Sequence, residues 1–101
     1  MKVSLRKKLD EISKKLLEIE KLLSDKDVIN DMDKYKNLSV EYAKLEIIIK
    51  DYKRYLSNEE SLKDSEEIAK NETGELKKLA DEEIRIAKEE ISSLEKNLEI
   101  S

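Results

Sequence analysis

Carboxylates are the side chains in this sequence with the greatest capacity for chemistry, and they form two dense clusters. The clusters are Asp81-Glu82-Glu83 and Glu89-Glu90. Paired carboxylates can serve as general acid and base, or bind Mg²⁺, where a pocket shifts their pKa values. The rest of the sequence predicts slender helices without such a pocket, so we interpret both clusters as a solvated helix face. We therefore predict a protein that is not an enzyme and that has no catalytic residues and no metal site.

The residue types that are missing narrow the possible chemistry further. The chain has no histidine, cysteine, tryptophan, phenylalanine or proline, and it has one glycine. It therefore lacks imidazole and thiolate groups for catalysis, and it cannot form an ordinary glycine-rich phosphate loop. The absence of cysteine fits a reducing compartment, and no apolar run approaches the length needed to span a membrane. We expect a cytoplasmic protein without a cofactor.

Basic side chains form four small clusters that could contact RNA phosphates. The clusters are Arg6-Lys7-Lys8, Lys14-Lys15, Lys50-Lys53-Arg54 and Lys77-Lys78. Each is mixed with acidic residues, and the formal net charge of the chain is −4. Because nucleic-acid binding needs a basic face that releases counterions, we favour solubilising side chains over a nucleic-acid-binding arm. We accordingly expect no strong direct binding of nucleic acid by this chain.

Apolar residues recur at alternating steps of three and four, which places them on one side of a helix. The three stripes are Leu5, Leu9, Ile12, Leu16, Ile19 and Leu23; Tyr35, Leu38, Tyr42, Leu45, Ile49, Tyr52 and Leu56; and Leu76, Ala80, Ile84, Ala87, Ile91, Leu94 and Leu98. They predict helices at about 4–23, 31–71 and 75–98 in a single domain, 1–101. The predicted fold is all-α, an elongated antiparallel three-helix bundle similar to a coiled coil.

Polar residues and the glycine mark the predicted helix ends. Ser4 is the predicted N-cap of the first helix, and Asn30 or Asp31 caps the second. Gly74 predicts the reversal before the third helix, because glycine adopts positive φ at little cost. Ser57 opens a possible capping box, which predicts at most a bend or local break in the middle helix.

Some apolar residues fall outside the stripes or beside them. Val28 and Ile29 lie in the first connection, where we expect both to anchor it to the helices. Tyr55 lies one place off the middle stripe, next to Leu56. We interpret Tyr55 as a cover for the stripe, and it is also the best single candidate for a partner contact. The other three tyrosines lie on the stripe, which predicts core residues whose hydroxyls reach its edge.

Particular segments carry more information than periodicity alone. The most specific is Tyr35-Lys36-Asn37-Leu38-Ser39-Val40-Glu41-Tyr42-Ala43-Lys44-Leu45, which continues to Ile48, Tyr52 and Tyr55. Others are Ser4-Leu5 with Lys8-Leu9-Asp10-Glu11-Ile12, Leu22-Leu23-Ser24-Asp25 with Val28-Ile29, and Leu76, Leu79-Ala80 and Glu82-Glu83-Ile84. Together they resemble the N-terminal helical domain of bacterial class-1 peptide chain release factors of the type that recognises UAG and UAA. The chain departs from the family pattern at Lys26 and Glu46, where proline is usual.

The resemblance implies that the chain is a fragment of a longer protein acting in translation termination. In that family a decoding domain with a codon-recognising tripeptide follows, and then a catalytic domain with a Gly-Gly-Gln loop. Neither motif occurs in this sequence. The implied role is accessory: contact with the stalk-base region of the ribosome and with termination factors. No motif for these contacts is matched, so the binding residues stay unassigned.

A stand-alone coiled-coil scaffolding protein is the alternative interpretation of the same stripes. It predicts helices that pair between chains, so a mass that rises with concentration in sedimentation would support it. The apolar residues at the carboxyl end are where we expect any self-association of the isolated chain, since a separated domain exposes surface. These residues are Leu94, Leu98 and Ile100.

Overall fold

Four helices account for almost all of the structure, a computed structural model that describes the backbone of residues 1–100 and the side chains of residues 1–99. They are α1 (Val3–Leu23), α2 (Lys26–Ile29), α3 (Met32–Asn71) and α4 (Gly74–Ile100). No strand occurs among residues 1–100, so the all-α prediction is confirmed. The predicted number of helices needs a correction, because the first connection contains the short helix α2. None of the helices described in residues 1–100 is long and apolar enough to cross a membrane.

Two compact units divide the chain, one from Met1 to Lys50 and one from Asp51 onward. In the first unit, α1 packs along the first part of α3, and the short connection makes the two run antiparallel. Lys15 Nζ lies 2.8 Å from Glu41 Oε1 across this pair. The buried positions of α1 are Leu9, Leu16 and Ile19. These three belong to the predicted stripe, whose periodicity therefore identified the packed face of α1.

Carboxylates cap the two helices that follow α1. Asp25 Oδ1 accepts a hydrogen bond from the backbone N–H of Asp27 at 2.8 Å, which starts α2. Asp31 Oδ1 accepts from the N–H of Lys34 at 3.2 Å, so of the two predicted caps of α3, Asn30 and Asp31, the structure has Asp31. The Ser4 cap is wrong: α1 begins at Val3 and its first turn has no side-chain cap.

The connection between α1 and α3 is held by one apolar residue rather than two. α2 packs against α1, and Val28 on α2 is only 3 % exposed. The neighbouring Ile29 is 51 % exposed, so the prediction that both residues anchor the connection holds for Val28 alone. A single helical turn can direct only one of two successive side chains inward, because they differ by about 100° around the axis.

The second unit is an antiparallel hairpin formed by the later part of α3 and by α4. Arg54 pairs with Glu90, and the Tyr55 hydroxyl donates to Glu95 Oε1 at 3.1 Å. α3 is helical without interruption through Ser57, so the possible capping box there does not start a new helix. Nearby, the Asn58 side-chain amide donates to the carbonyl of Arg54 at 2.9 Å, a bond to the preceding turn.

The buried face of α3 changes register after Tyr52. Ile49 and Tyr52 are buried as the stripe predicts, but the next buried residue is Tyr55, at 2 % exposure, and not Leu56, at 37 %. Two successive steps of three replace the predicted steps of three and four. The interpretation of Tyr55 as a cover beside the stripe is therefore wrong, because Tyr55 is itself a core residue. Tyr35 is also exposed rather than in the core.

Gly74 provides the reversal between α3 and α4. Its φ is +67°, and no other residue described in 1–100 has a positive φ. A Cβ built on Gly74 meets no atom within 4 Å, so only the backbone conformation opposes a side chain there. We expect Gly74→Ala to lower the free energy of unfolding by about 1–2 kcal/mol. Urea titration would measure this, and D-alanine at the same position should remove the loss. Equal destabilisation by L- and D-alanine would contradict the conformational explanation.

Candidate protein-interaction groove

Among the residues that the structure describes, four of the five clustered carboxylates on α4 are in ion pairs, and the exception is Glu83. Arg85 pairs with Glu82 and, at 2.9 Å, with Glu89, while Lys77 Nζ lies 2.9 Å from Asp81 Oδ2. The Arg85 hydrogen bond and charge lower the pKa of the Glu82 carboxyl. A carboxylate held in its charged form on a solvated face does not serve as a general acid. Within residues 1–100, no group of three or more carboxylates has a geometry that could hold a metal ion.

Basic side chains from the predicted clusters face carboxylates on neighbouring helices. Lys15 pairs with Glu41 in the first unit, and the hydrogen bond from this pair raises the pKa of Lys15. Arg54 pairs with Glu90 in the second unit. Each of these cations has a carboxylate partner within the protein. This pattern favours the interpretation of the clusters as solubilising side chains over a continuous phosphate-binding face.

Two tyrosine hydroxyls link α3 to the neighbouring helices through carboxylates. Tyr42 donates to Glu20 Oε1 at 2.8 Å, and this hydrogen bond raises the pKa of Tyr42 to about 12. Burial is the main reason that the pKa of Tyr55 also rises to about 12, with the hydrogen bond to Glu95 as the second cause. Both hydroxyls are therefore held protonated as donors, which is a structural role. Tyr42 fits the prediction of a stripe residue with its hydroxyl at the edge.

These pKa values predict a loss of stability in alkali. A group whose folded-state pKa exceeds its unfolded value stabilises the fold below the unfolded pKa, and this contribution disappears as pH rises through the folded pKa. For Tyr55 the window runs from pH 10 to about 12. We expect the melting temperature of the wild type to fall more steeply across this window than that of Tyr55→Phe. Parallel pH slopes for the two proteins would contradict the prediction.

An open groove lies between α3 and α4 in the second unit, next to the reversal at Gly74. Three shallow depressions follow one another along it, with volumes of about 430, 240 and 190 Å³. Large apolar side chains line it and remain about half exposed. They are Ile68, Leu76, Leu79 and Ile86. Ala80 and Ala87 are buried beneath them, which lets the helices approach closely and keeps the groove shallow.

The lining residues of this interhelical groove follow the spacing of a helix-packing surface on both sides. On α3 they include Asn58, Ser61, Ser65 and Ile68, and on α4 they include Leu76, Leu79, Glu83 and Ile86. Both sets advance by alternating steps of three and four. Two antiparallel helices with such rows present the surface on which a further helix packs. The groove is open along its length, and its lining combines apolar and acidic side chains.

Sequence reasoning missed this groove because its apolar residues are interrupted by polar ones. Leu76 was assigned to the packed stripe of α4, but it is exposed and belongs to the groove wall. Leu79 and Ile86 lie one place before Ala80 and Ala87, so they form a second row on the same helix. The sequence therefore contains the groove residues as two pairs, Leu79-Ala80 and Ile86-Ala87. Which member of each pair is buried depends on the position of α3.

The fold and the groove together define a helical domain suited to contacting other macromolecules. A model of the PCRF domain matches residues 12–101. The chain therefore belongs to this family, the helical domain of class-1 peptide chain release factors, and the resemblance noted in the sequence is confirmed at that level. Membership supports a role in translation termination through a domain that is not the catalytic one. A comparison with solved structures gave no significant match.

Proposed function

We propose that this chain is the accessory N-terminal domain of a release factor that acts at UAG and UAA stop codons. The domain contacts the ribosome at the stalk base, together with termination partners, in the cytoplasm. Decoding and peptidyl-tRNA hydrolysis belong to other domains of the same protein. The observation that carries the proposal is the family match over residues 12–101, supported by the specific segment at 35–45.

The structure is consistent with an accessory role in two respects. Most of the clustered carboxylates are engaged in ion pairs, and the most exposed apolar side chains of the second unit line an open groove. Exposed apolar patches on a folded domain commonly mark interaction surfaces. A contact domain needs such a surface and does not need a pocket that shifts pKa values.

A peptide-release assay with the full-length protein that contains this chain tests the proposal. Ribosomes carrying a labelled peptidyl-tRNA would be stopped at UAG, UAA or UGA and mixed with the purified protein. We expect release at UAG and UAA and only background release at UGA. Release at UGA in preference to UAG would contradict the codon assignment, and no release at any stop codon would contradict the role in termination.

A stand-alone scaffolding protein remains the competing proposal, and sedimentation distinguishes it. We expect the mass of the chain to be that of a monomer at every concentration, since α1 and α4 each pack on α3 within one molecule. Of the carboxyl-end residues suggested for self-association, Leu94 and Leu98 are buried within the chain, and Ile100 lies outside the described side chains. A mass that rises with concentration would favour the scaffold.

A further inference from the structure

The apolar groove between α3 and α4 has an acidic wall. Glu67 and Glu72 line the depression nearest Gly74, and Glu83 lines the other two. No lysine or arginine lines any of the three depressions. Among residues 1–100, none of these three carboxylates is in an ion pair. The groove therefore combines exposed apolar side chains with carboxylates that no ion pair neutralises.

Two basic residues of α4 are engaged away from these carboxylates. Lys77 and Arg85 are paired with carboxylates on their own helix, at Asp81 and at Glu82 and Glu89. Lys77 and Arg85 lie on one i,i+4 row of α4, and Leu79 and Glu83 lie on another. A ligand in the groove consequently meets carboxylates on both helices and no fixed cation. Anionic ligands such as RNA are disfavoured there.

We propose that this groove binds a basic amphipathic helix of a protein partner. The apolar side of such a helix would pack on Ile68, Leu79 and Ile86, and lysines or arginines at its flanks would face Glu67, Glu72 and Glu83. The lined part of α3 runs from Asn58 to Asn71. At 1.5 Å rise per residue this is about 20 Å, which matches a helix of about four turns.

A second copy of the same groove is a poor occupant because the charges conflict. Two identical grooves placed face to face would oppose acidic walls, and like charges across an interface disfavour association. A basic helix would bind more favourably than a second copy, because its cations would lie next to the carboxylates of the groove. The partner class is thus set by charge, while the apolar row sets the helical spacing of its anchors.

This inference deepens the proposed function and rests on it, because it names the kind of partner that the domain contacts. The test uses a synthetic helix of about 15 residues, with leucines at alternating steps of three and four and lysines on the flanks. The matched control peptide has glutamate at every lysine position. Each peptide is titrated into the isotope-labelled chain, and methyl chemical shifts are recorded by NMR.

We expect the lysine peptide to bind at least about tenfold more tightly than the glutamate peptide, because several charge pairs change sign together. The largest shifts should fall on Ile68, Leu79 and Ile86. Shifts centred on Val40 and Ile47, which are exposed on the first part of α3, would overturn the proposal. Equal affinity for the two peptides would overturn it as well, as would a concentration-dependent dimer that closes the groove.

A charge-reversal pair makes the test specific to the wall. Glu83→Lys should weaken binding of the lysine peptide about fivefold to tenfold, whereas Glu60→Lys should leave it unchanged. Both residues are exposed on the second unit, and Glu60 lines none of the three depressions. Circular dichroism would verify that both variants are folded. Equal effects of the two substitutions would overturn the assignment to the groove.

The peptide titration contains no ribosomes, so its outcome is independent of the release assay. A factor that releases peptide at UAG and UAA while its domain ignores the lysine peptide would overturn the groove proposal alone. A domain that binds the peptide in a protein without release activity would support the groove and overturn the proposed function. The two failures are therefore distinguishable.

Discussion

Replacement of Tyr55 by alanine is expected to lower the free energy of unfolding by about 3–5 kcal/mol, whereas Leu56→Ala should lower it by about 1 kcal/mol or less. The difference follows from burial: Tyr55 is 2 % exposed, and the adjacent Leu56 is 37 % exposed. The Tyr55 ring leaves a large cavity when it is removed, and its hydroxyl donor to Glu95 is lost as well. Periodicity alone would rank these two residues in the opposite order.

Urea denaturation followed by circular dichroism measures both changes on the same scale. Tyr55→Phe is the control, because it keeps the ring and removes only the hydroxyl with its hydrogen bonding, which should lower stability by about 1 kcal/mol. The slope of the transition should stay constant if the native state is preserved. If Leu56→Ala lowered the free energy of unfolding more than Tyr55→Ala, the account would be contradicted, because Leu56 and not Tyr55 would then face α4.

The second large effect is expected in the connection between α1 and α3. Val28→Asp should lower the free energy of unfolding by about 3–5 kcal/mol, because it places a charge without a partner in an apolar contact and removes that contact. The same substitution at Ile29 should change stability by about 1 kcal/mol or less. Val28 is 3 % exposed and Ile29 is 51 % exposed, so the two neighbours form a matched pair.

Thermal unfolding at neutral pH would compare the two aspartate variants. A shift of about 4–8 °C per kcal/mol is typical of a domain of this size, so Val28→Asp should be partly unfolded at moderate temperature. Similar melting temperatures for the two variants would contradict the assignment of Val28 as the anchor of α2. Val28→Ile would then show whether added volume is tolerated at the contact.

Much of the fold follows from local rules that the sequence displays directly. The stripe of α1 predicted its buried residues, because an amphipathic helix buries its single apolar stripe. The Asp31 cap and the Gly74 reversal followed from side-chain and backbone chemistry that depends on few neighbours. The main predicted helix ends lie within two residues of those in the structure.

Other features depend on the position of a second helix, and the sequence does not contain that position explicitly. Both Tyr55 and Leu56 continue an apolar row after Tyr52, and the location of α4 decides which of them is buried. The same dependence hid the groove, since Leu79 and Ile86 become its wall only when α3 lies beside α4. Helix α2 was missed because four residues are too few to establish a period.

Pelleting of the purified chain with ribosomes stopped at a UAA codon tests the central claim most directly, namely that this helical domain is a contact domain of a release factor. We expect the chain to pellet with the ribosomes, to be displaced by an excess of an intact class-1 release factor, and to release no peptide. A chain that stays in the supernatant at low salt, or that pellets equally in the presence of the intact factor, would contradict the account.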